Sequence, residues 1–317
     1  MKPISSIDLT VVIPIYNEEA NLPLLYRRLR DVLREMALSY ELLFVNDGSL
    51  DNSGEAIRQI AKADPCVRFV DLSRNFGHQI ALMAGLDHAA GNAIVIIDAD
   101  LQDPPELIPE LYKKYKEGFE VVYARRRSRK GEGFLKKWTA RLFYRMLARI
   151  TSIQIPLDAG DFRIIDRKVA LTLRQMPEQE KFIRGQIAWI GFRQTFIEYD
   201  RDSRHAGTSG YSVGKMIRFA LDGITSFSDL PLRLATYLGF IVSAFAFGVM
   251  IYALISLYIW ENAIRGWTST ILSVMFIGGI QLICLGIIGE YLKRIAHNVR
   301  NRPLYVVRDS NVEQDEN

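Results

Sequence analysis

A chain of 317 residues that is 49% hydrophobic and 24% charged has ample material for a core, which excludes a disordered or low-complexity protein. The 40 Lys and Arg against 36 Asp and Glu leave a net charge of +4, too small for a general nucleic-acid binder. Two cysteines, Cys66 and Cys284, exclude a disulfide scaffold, and no CxxC or HExxH spacing points to zinc.

Met1–Asp8 is polar and carries no signal-peptide pattern. Apolar strand-like runs then recur at Leu9–Ile15, Glu41–Val45, Val67–Leu72, Ala93–Ile97 and Glu120–Tyr123. Helical stretches separate them at Glu19–Met36, Ser53–Ala63, Gly77–Ala89 and Pro105–Glu117, the last with Asp103 as its expected cap. Continuous apolar strands alternating with helices predict an α/β domain built on a mainly parallel sheet covered on both faces. In Phe134–Ile150, Lys137, Arg141, Arg145 and Arg149 recur every fourth residue and form one basic stripe. Beside a membrane segment, such an amphipathic helix suits anionic lipid headgroups, and Val213–Phe227 is read the same way.

The mean hydropathy of +0.04 is high for so charged a chain, because the apolar residues are segregated. Residues 234–260 and 267–289 carry no Asp, Glu, Lys or Arg. Each run exceeds the roughly 20 residues that cross a bilayer, so two transmembrane helices in a hairpin are expected. Lys215, Arg218 and Arg233 precede the pair and Lys293, Arg294, Arg300 and Arg302 follow it, whereas the connection holds only Glu261 and Arg265. The positive-inside rule then places both termini in the cytoplasm of a multi-pass plasma-membrane protein. The division is 1–230 for the α/β domain with its interfacial helices, 231–292 for the spans and 293–317 for a tail whose end, Asp309–Asn317, is polar and expected to fray. Gly278, Gly279, Gly286 and Gly289 on the second span would allow close packing with another helix, including one from a second copy of the chain.

Ligands of open α/β sheets bind at the carboxyl ends of the strands. Here these ends read Pro14-Ile15-Tyr16-Asn17-Glu18-Glu19, Asn46-Asp47-Gly48-Ser49 and Asp98-Ala99-Asp100-Leu101-Gln102-Asp103. Two carboxylates one residue apart past a buried strand repel each other, and a hard cation such as Mg²⁺ or Mn²⁺ relieves that repulsion. Such a cation can also neutralise a departing diphosphate. His78 and His88 have the bland reading of helix residues at the surface or in local hydrogen bonds.

The ordered set VVIPIYNEE, FVNDGSLDNS, LSRNFGHQIALMAGLDHAAG, IDADLQDPPELIP and GDFRIIDR resembles glycosyltransferase family 2, and within it the polyprenyl-phosphate glycosyltransferases. The resemblance extends through the two spans to IIGEYLKRIAHNVRNRPLYVV. It implies a GT-A fold, a nucleotide-sugar donor such as UDP-glucose, a polyprenyl (undecaprenyl) phosphate acceptor and inversion at the anomeric carbon. By the same resemblance Pro14, Tyr16, Glu18 and Asp47 match positions that hold base and ribose, and Asp98 and Ala99 lie beside the donor. Asp98, Asp100 and Gln102 match the metal set, Arg125 a donor-binding position and Asp161 a carboxylate linked to activity. Arg204 lies in a loop whose arginine reaches the donor diphosphate; many relatives have lysine where this chain has Gly210, which throws more of that task on Arg204.

An acceptor phosphate monoester is already substantially ionised at pH 7 and needs positioning more than deprotonation. Asp161 is therefore open to two readings, a base or a group that orients Arg163 or the acceptor. Two other functions compete with single-sugar transfer. A processive polysaccharide synthase of the same fold would need more spans and usually a QxxRW motif, absent here. A non-catalytic membrane scaffold would have no need of the Asp98, Asp100, Gln102 and Asp161 set.

Overall fold

The computed structural model describes residues 7–127, 159–200, parts of 232–251 and 267–312. The basic helix expected at Phe134–Ile150, the stretch Val213–Phe227, the loop bearing Arg204 and much of the first expected span lie outside the described residues.

The strands and helices alternate through the first part of the chain. β1 (Leu9–Ile15), α1 (Leu22–Glu35), β2 (Tyr40–Asn46), α2 (Ser53–Ala63), β3 (Val67–Leu72), α3 (His78–His88) and β4 (Ala93–Ile96) come first. A short 3₁₀ turn at Pro105–Leu107, α4 (Ile108–Lys116) and β5 (Val121–Arg126) follow. Next come β6 (Ala159–Asp166), α5 (Arg167–Arg174), α6 (Ile183–Ile190) and β7 (Gln194–Tyr199), and near the end α7 (Trp267–Val299) and β8 (Val307–Ser310).

The described strands form one sheet in the order β7-β5-β6-β4-β1-β2-β3-β8. β1 pairs in parallel with β2 and β4, β2 with β3, and β5 with β7. The sheet is nevertheless mixed, because β6 runs antiparallel to β4 and β5, and β8 antiparallel to β3. The expectation of a mainly parallel sheet thus holds for its centre and fails at its flanks.

Successive residues of the central strands belong to opposite faces. Val11, Ile13, Leu42 and Phe44 pack with α1 residues Leu22, Leu25, Leu29 and Leu33, while Val12, Leu43, Val45 and Ile94 pack with α3 residues Ala81–Leu86. Both faces are covered, so the strands read as unbroken apolar runs. Gly85 lets α3 sit directly on β1, where an added Cβ would collide with Val12.

Two details differ from expectation. Asp103 does not cap a helix; it is fully buried and accepts from the Tyr199 hydroxyl on β7, which fixes the far end of the acidic loop. Asp309 and Ser310, expected to fray, belong to β8 and pair with Asp71 and Val70 of β3. An edge strand gains a full row of backbone hydrogen bonds that outweighs the polar character of those residues.

The chain divides into two compact units, one of residues 1–148, 153–211 and 302–317 and one of 149–152 and 212–301. The first holds the whole sheet. In the second, the described residues between 232 and 251 are helical, and α7 contains one stretch, Phe276–Val299, long and apolar enough to cross a membrane, with a mean hydropathy of 1.4. Glu290 pairs with Lys293 at 3.1 Å on the polar end of that helix.

Candidate active site

The order β3-β2-β1-β4 reverses direction between β1 and β4, which opens a crevice at their carboxyl ends. Three loops meet there. The first two are laced together. Asn17, at φ 56°, donates its amide to Ser49 Oγ at 3.0 Å and accepts from the Leu50 amide at 2.8 Å. The Glu18 amide donates to Ser53 Oγ at 3.0 Å. Pro14 is buried in β1, Tyr16 just past its end is 43% exposed, and the Glu18 carboxylate accepts from Asn21 Nδ2 at 2.6 Å.

Asp47 is buried, and its two oxygens accept from the backbone amides of Phe76 (2.7 Å) and Gly77 (3.0 Å). Burial pushes its carboxyl above the usual range, against the pull of those two amides. Asp47 therefore orders the loop that leads into α3. Gly48 beside it has φ 63°, and a Cβ there would press on the Arg74 backbone and stand 2.6 Å from the Asn75 nitrogen. Gly48→Ala is expected to cost about 2–4 kcal/mol of stability, from the left-handed backbone and the overlap together. Thermal denaturation checks this, and an unchanged Tm would contradict it.

The third loop carries Asp98, Ala99, Asp100 and Gln102. Ala99 is buried, and the Gln102 amide donates to Asp100 Oδ1 at 3.1 Å. Leu101 adopts φ 58°, which costs a non-glycine residue about 1–2 kcal/mol. Its side chain is 4% exposed and joins the core, so burial offsets the strain and pins the loop between the two polar residues on either side.

Asp98 and Asp161 meet across this crevice with His78 between them. His78 Nε2 lies 3.5 Å from Asp98 Oδ1 and 3.4 Å from Asp161 Oδ2. Ligand atoms of the three residues fall within 4.8 Å of one another, a spacing that suits a metal ion. His78 is at the surface as expected, 44% exposed, but it is also a member of the site, while His88 makes the expected local bond, 2.8 Å to the Ala84 carbonyl. Asp98 Oδ1 is buried and makes no hydrogen bond among the described residues. Burial raises the Asp98 carboxyl to about 6 against the pull of His78, with the charges of Asp161, Asp103 and Asp100 adding to the rise. A buried carboxylate oxygen without a donor, beside other carboxylates, fits a hard divalent cation.

Asp161, on β6, is held differently. Arg184 of α6 grips it with Nε at 2.7 Å from Oδ1 and Nη2 at 3.0 Å from Oδ2. Buried Arg163 approaches Oδ1 at 3.6 Å and donates to the Gly160 and Asp161 carbonyls. Burial alone would raise the Asp161 carboxyl, but Arg184, His78 and Arg163 together hold it well below the ordinary carboxylate range. A carboxylate so stabilised is a weak base. Burial conversely brings the Arg163 guanidinium down to about 10. Arg184 was not singled out from sequence, because one arginine on a short helix reads as a solvated face.

Arg125 stands apart from this cluster. Its guanidinium lies 3.6 Å from the centroid of the Phe196 ring and pairs with Glu198, so a donor phosphate would have to draw it from Glu198. Arg204 lies outside the described residues.

Comparison with known proteins places these features among relatives. Residues 10–173 match the family described as "Glycosyl transferase family 2". The chain is 50% identical over 304 residues to the "Uncharacterized glycosyltransferase YkcC" of Bacillus subtilis, covering 96% of this chain and 94% of that one. It is 40% identical over 302 residues to the "Bactoprenol glucosyl transferase" of Shigella phage SfII, covering 95% and 98%. Among solved structures it is similar to glucosyl-3-phosphoglycerate synthase from Mycobacterium tuberculosis, at 20% identity and a TM-score of 0.47 over 69% of this chain and 76% of that one.

Proposed function

The chain belongs to glycosyl transferase family 2, and from that premise we propose that it moves one sugar from a nucleotide sugar, UDP-glucose or a similar donor, to polyprenyl phosphate with inversion. The single observation that carries this reading is the carboxylate pair Asp98 and Asp161 at the sheet's switch point, one with a buried oxygen that makes no hydrogen bond among the described residues and the other paired with Arg184. The similarity to bactoprenol glucosyl transferases over 95% of this chain supports the lipid acceptor.

The membrane placement has its own support. The chain leaves the sheet-bearing unit after Tyr211 and re-enters it at Arg302, and β8 is a strand of that sheet. A segment that starts and ends on one side crosses a bilayer an even number of times. If α7 spans, a second span precedes it, as the apolar run 234–260 would supply. Both termini then share the cytoplasmic face with the donor, and anionic lipid meets the basic stripe of 134–150.

Tyr16 would stack on the base, Glu18 and Asp47 would frame the ribose pocket, and Arg125 with Arg204 would meet the diphosphate. Asp98, with His78 and Asp161 whose ligand atoms lie within 4.8 Å of it and of one another, would hold Mg²⁺ or Mn²⁺, and the resemblance adds Asp100 and Gln102 to that set. Bound there, the cation supplies charge neutralisation to the leaving nucleotide diphosphate. The acceptor phosphate is its own nucleophile, so Asp161 orients instead of taking a proton.

The cation makes a pH-dependent prediction. Without it, folded Asp98 keeps its proton up to about pH 6, whereas an ordinary carboxyl at 3.8 has lost it. Asp98 therefore costs folding stability progressively as pH rises from about 4 to about 6, and the full cost remains above that. Mn²⁺ is expected to raise Tm more at pH 7.5, where the site is ionised, than at pH 5, where it must displace a proton. Equal shifts at both values, or none, would count against the site.

The function is tested with purified full-length protein, polyprenyl phosphate and a panel of nucleotide sugars. One sugar per lipid phosphate with release of nucleotide diphosphate is expected from one donor. A polymer would support the synthase reading, and no product from any donor would support the scaffold.

A further inference from the structure

The chain beyond α7 returns to the sheet and grips one wall of the site from behind. That wall is the segment 73–88. It leaves β3, passes through the Phe76 and Gly77 amides held by Asp47, and continues as α3 with His78 at its start. Contacts from the tail fall at both ends of this segment. At one end the Ser73 amide donates to the Val306 carbonyl at 2.8 Å, and the Ser73 carbonyl accepts from the Arg308 guanidinium. At the other end the Tyr305 hydroxyl donates to Asp87 Oδ2 at 2.9 Å in the last turn of α3, where Arg174 also pairs with Asp87 at 3.3 Å. The Tyr305 ring packs against His88, with centroids 6.1 Å apart. The strand itself is anchored lower down, where Asn311 accepts from the Phe69 amide at 2.7 Å and donates to the Val67 carbonyl at 3.2 Å.

We infer that the C-terminal strand is a positioning element of the active site: Tyr305 and Arg308 fix the two ends of segment 73–88 and so hold His78 and the Asp47-bound loop in place against Asp98 and Asp161. The inference rests on the reading of this crevice as the transferase centre. α3 can carry the constraint because Ala81–Leu86 are all buried, and a close-packed helix shifts as a unit and does not bend locally. Loosening either end would move His78 by the small displacement that costs a preorganised site much of its rate. Arg302 lies only three residues past Val299, the end of α7, so the covalent chain links the apolar segment to this clamp.

The test uses full-length protein carrying Tyr305→Phe, Arg308→Gln or both, with Arg68→Gln as control. Arg68 also bonds the tail, at the Asn311 carbonyl (3.1 Å), but beyond the wall. Hydrogen exchange is read at residues 76–80 without substrate, and kcat and donor KM are read on the folded fraction. In the double variant we expect exchange at 76–80 to quicken at least tenfold and kcat/KM for the donor to fall at least tenfold, with Tyr305→Phe alone giving a smaller change of the same kind and the control matching wild type. If instead exchange quickens only in 67–72 and the tail while 76–80 and the kinetic constants stay as in wild type, the strand merely stabilises the sheet edge and the inference is overturned. Because exchange needs no substrate, failure of wild-type protein to transfer any sugar would refute the proposed reaction without touching this result.

Discussion

Replacing Asp98 by asparagine is expected to remove nearly all sugar transfer while leaving the metal-free protein at least as stable as wild type. The opposite signs come from one cause. In the folded chain this carboxyl is raised to about 6 by burial and by Asp161, Asp103 and Asp100, so its charge above that pH is a cost to folding. An amide of nearly the same shape removes the charge and relieves the repulsion. The same charge is what a divalent cation would need, because Asp98 Oδ1 is buried and makes no hydrogen bond among the described residues. Loss of one preorganised group at a developing charge typically costs about 10²–10³ in turnover, or roughly 2.7–4 kcal/mol. Asp98→Asn should also abolish most of the Mn²⁺-induced rise in Tm. Turnover by Asp98→Asn at the wild-type rate, or full wild-type activity in excess chelator, would refute the metal role.

Much of the β4-β1-β2-β3 half of the sheet is legible in the sequence. β1, β2 and β4 are apolar through their middles because Val11 and Val12, or Phe44 and Val45, enter opposite cores. The acidic strand ends follow at once, and the strand order brings them to one crevice. Legibility fails where charge is buried. β6 contains Asp161 and Arg163, which interrupt any apolar pattern, yet both are buried: Asp161 is paired with Arg184 and Arg163, and Arg163 also donates to the Gly160 and Asp161 carbonyls. β8 contains Arg308 and Asp309 and is a strand only because β3 offers an open edge. His78 is hidden for another reason. Its helix is apolar nearly all round, so no periodicity tells which way the first turn faces. Arg184 shows the same limit, since only the arrival of α6 beside β6 gives it a partner.

Whether Asp161 orients or accepts a proton is decided by the sign of the response when Arg184 is changed. Arg184 grips both oxygens of Asp161, and its Nε and Nη2 contacts at 2.7 and 3.0 Å hold the carboxyl well below its ordinary range. Arg184→Gln removes that charge, so the Asp161 carboxyl must rise toward the range where it is a better base. If Asp161 took a proton in the reaction, the variant would keep or gain turnover near neutral pH. If Asp161 serves as a fixed, ionised anchor, the variant loses its geometry, and we expect kcat to fall about 10- to 100-fold, the usual loss for a charge-assisted contact of about 1.5–3 kcal/mol. Arg184→Lys should fall as well, since lysine keeps the charge but cannot reproduce a two-point grip. Asp161→Asn is the more damaging change for the fold, because it strands the fully buried Arg163 beside Arg184, and breaking a buried pair from one side costs about 3–5 kcal/mol. The double variant Asp161→Asn with Arg184→Gln removes one of those two stranded cations and should recover part of that stability. It should recover no activity, because the anchor is gone from both sides. The cycle is closed by denaturant unfolding for stability and by steady-state kinetics for kcat, with the pair's coupling read as the departure from additivity. A double variant that regains turnover, or an Arg184→Gln enzyme faster than wild type, would return Asp161 to the role of base.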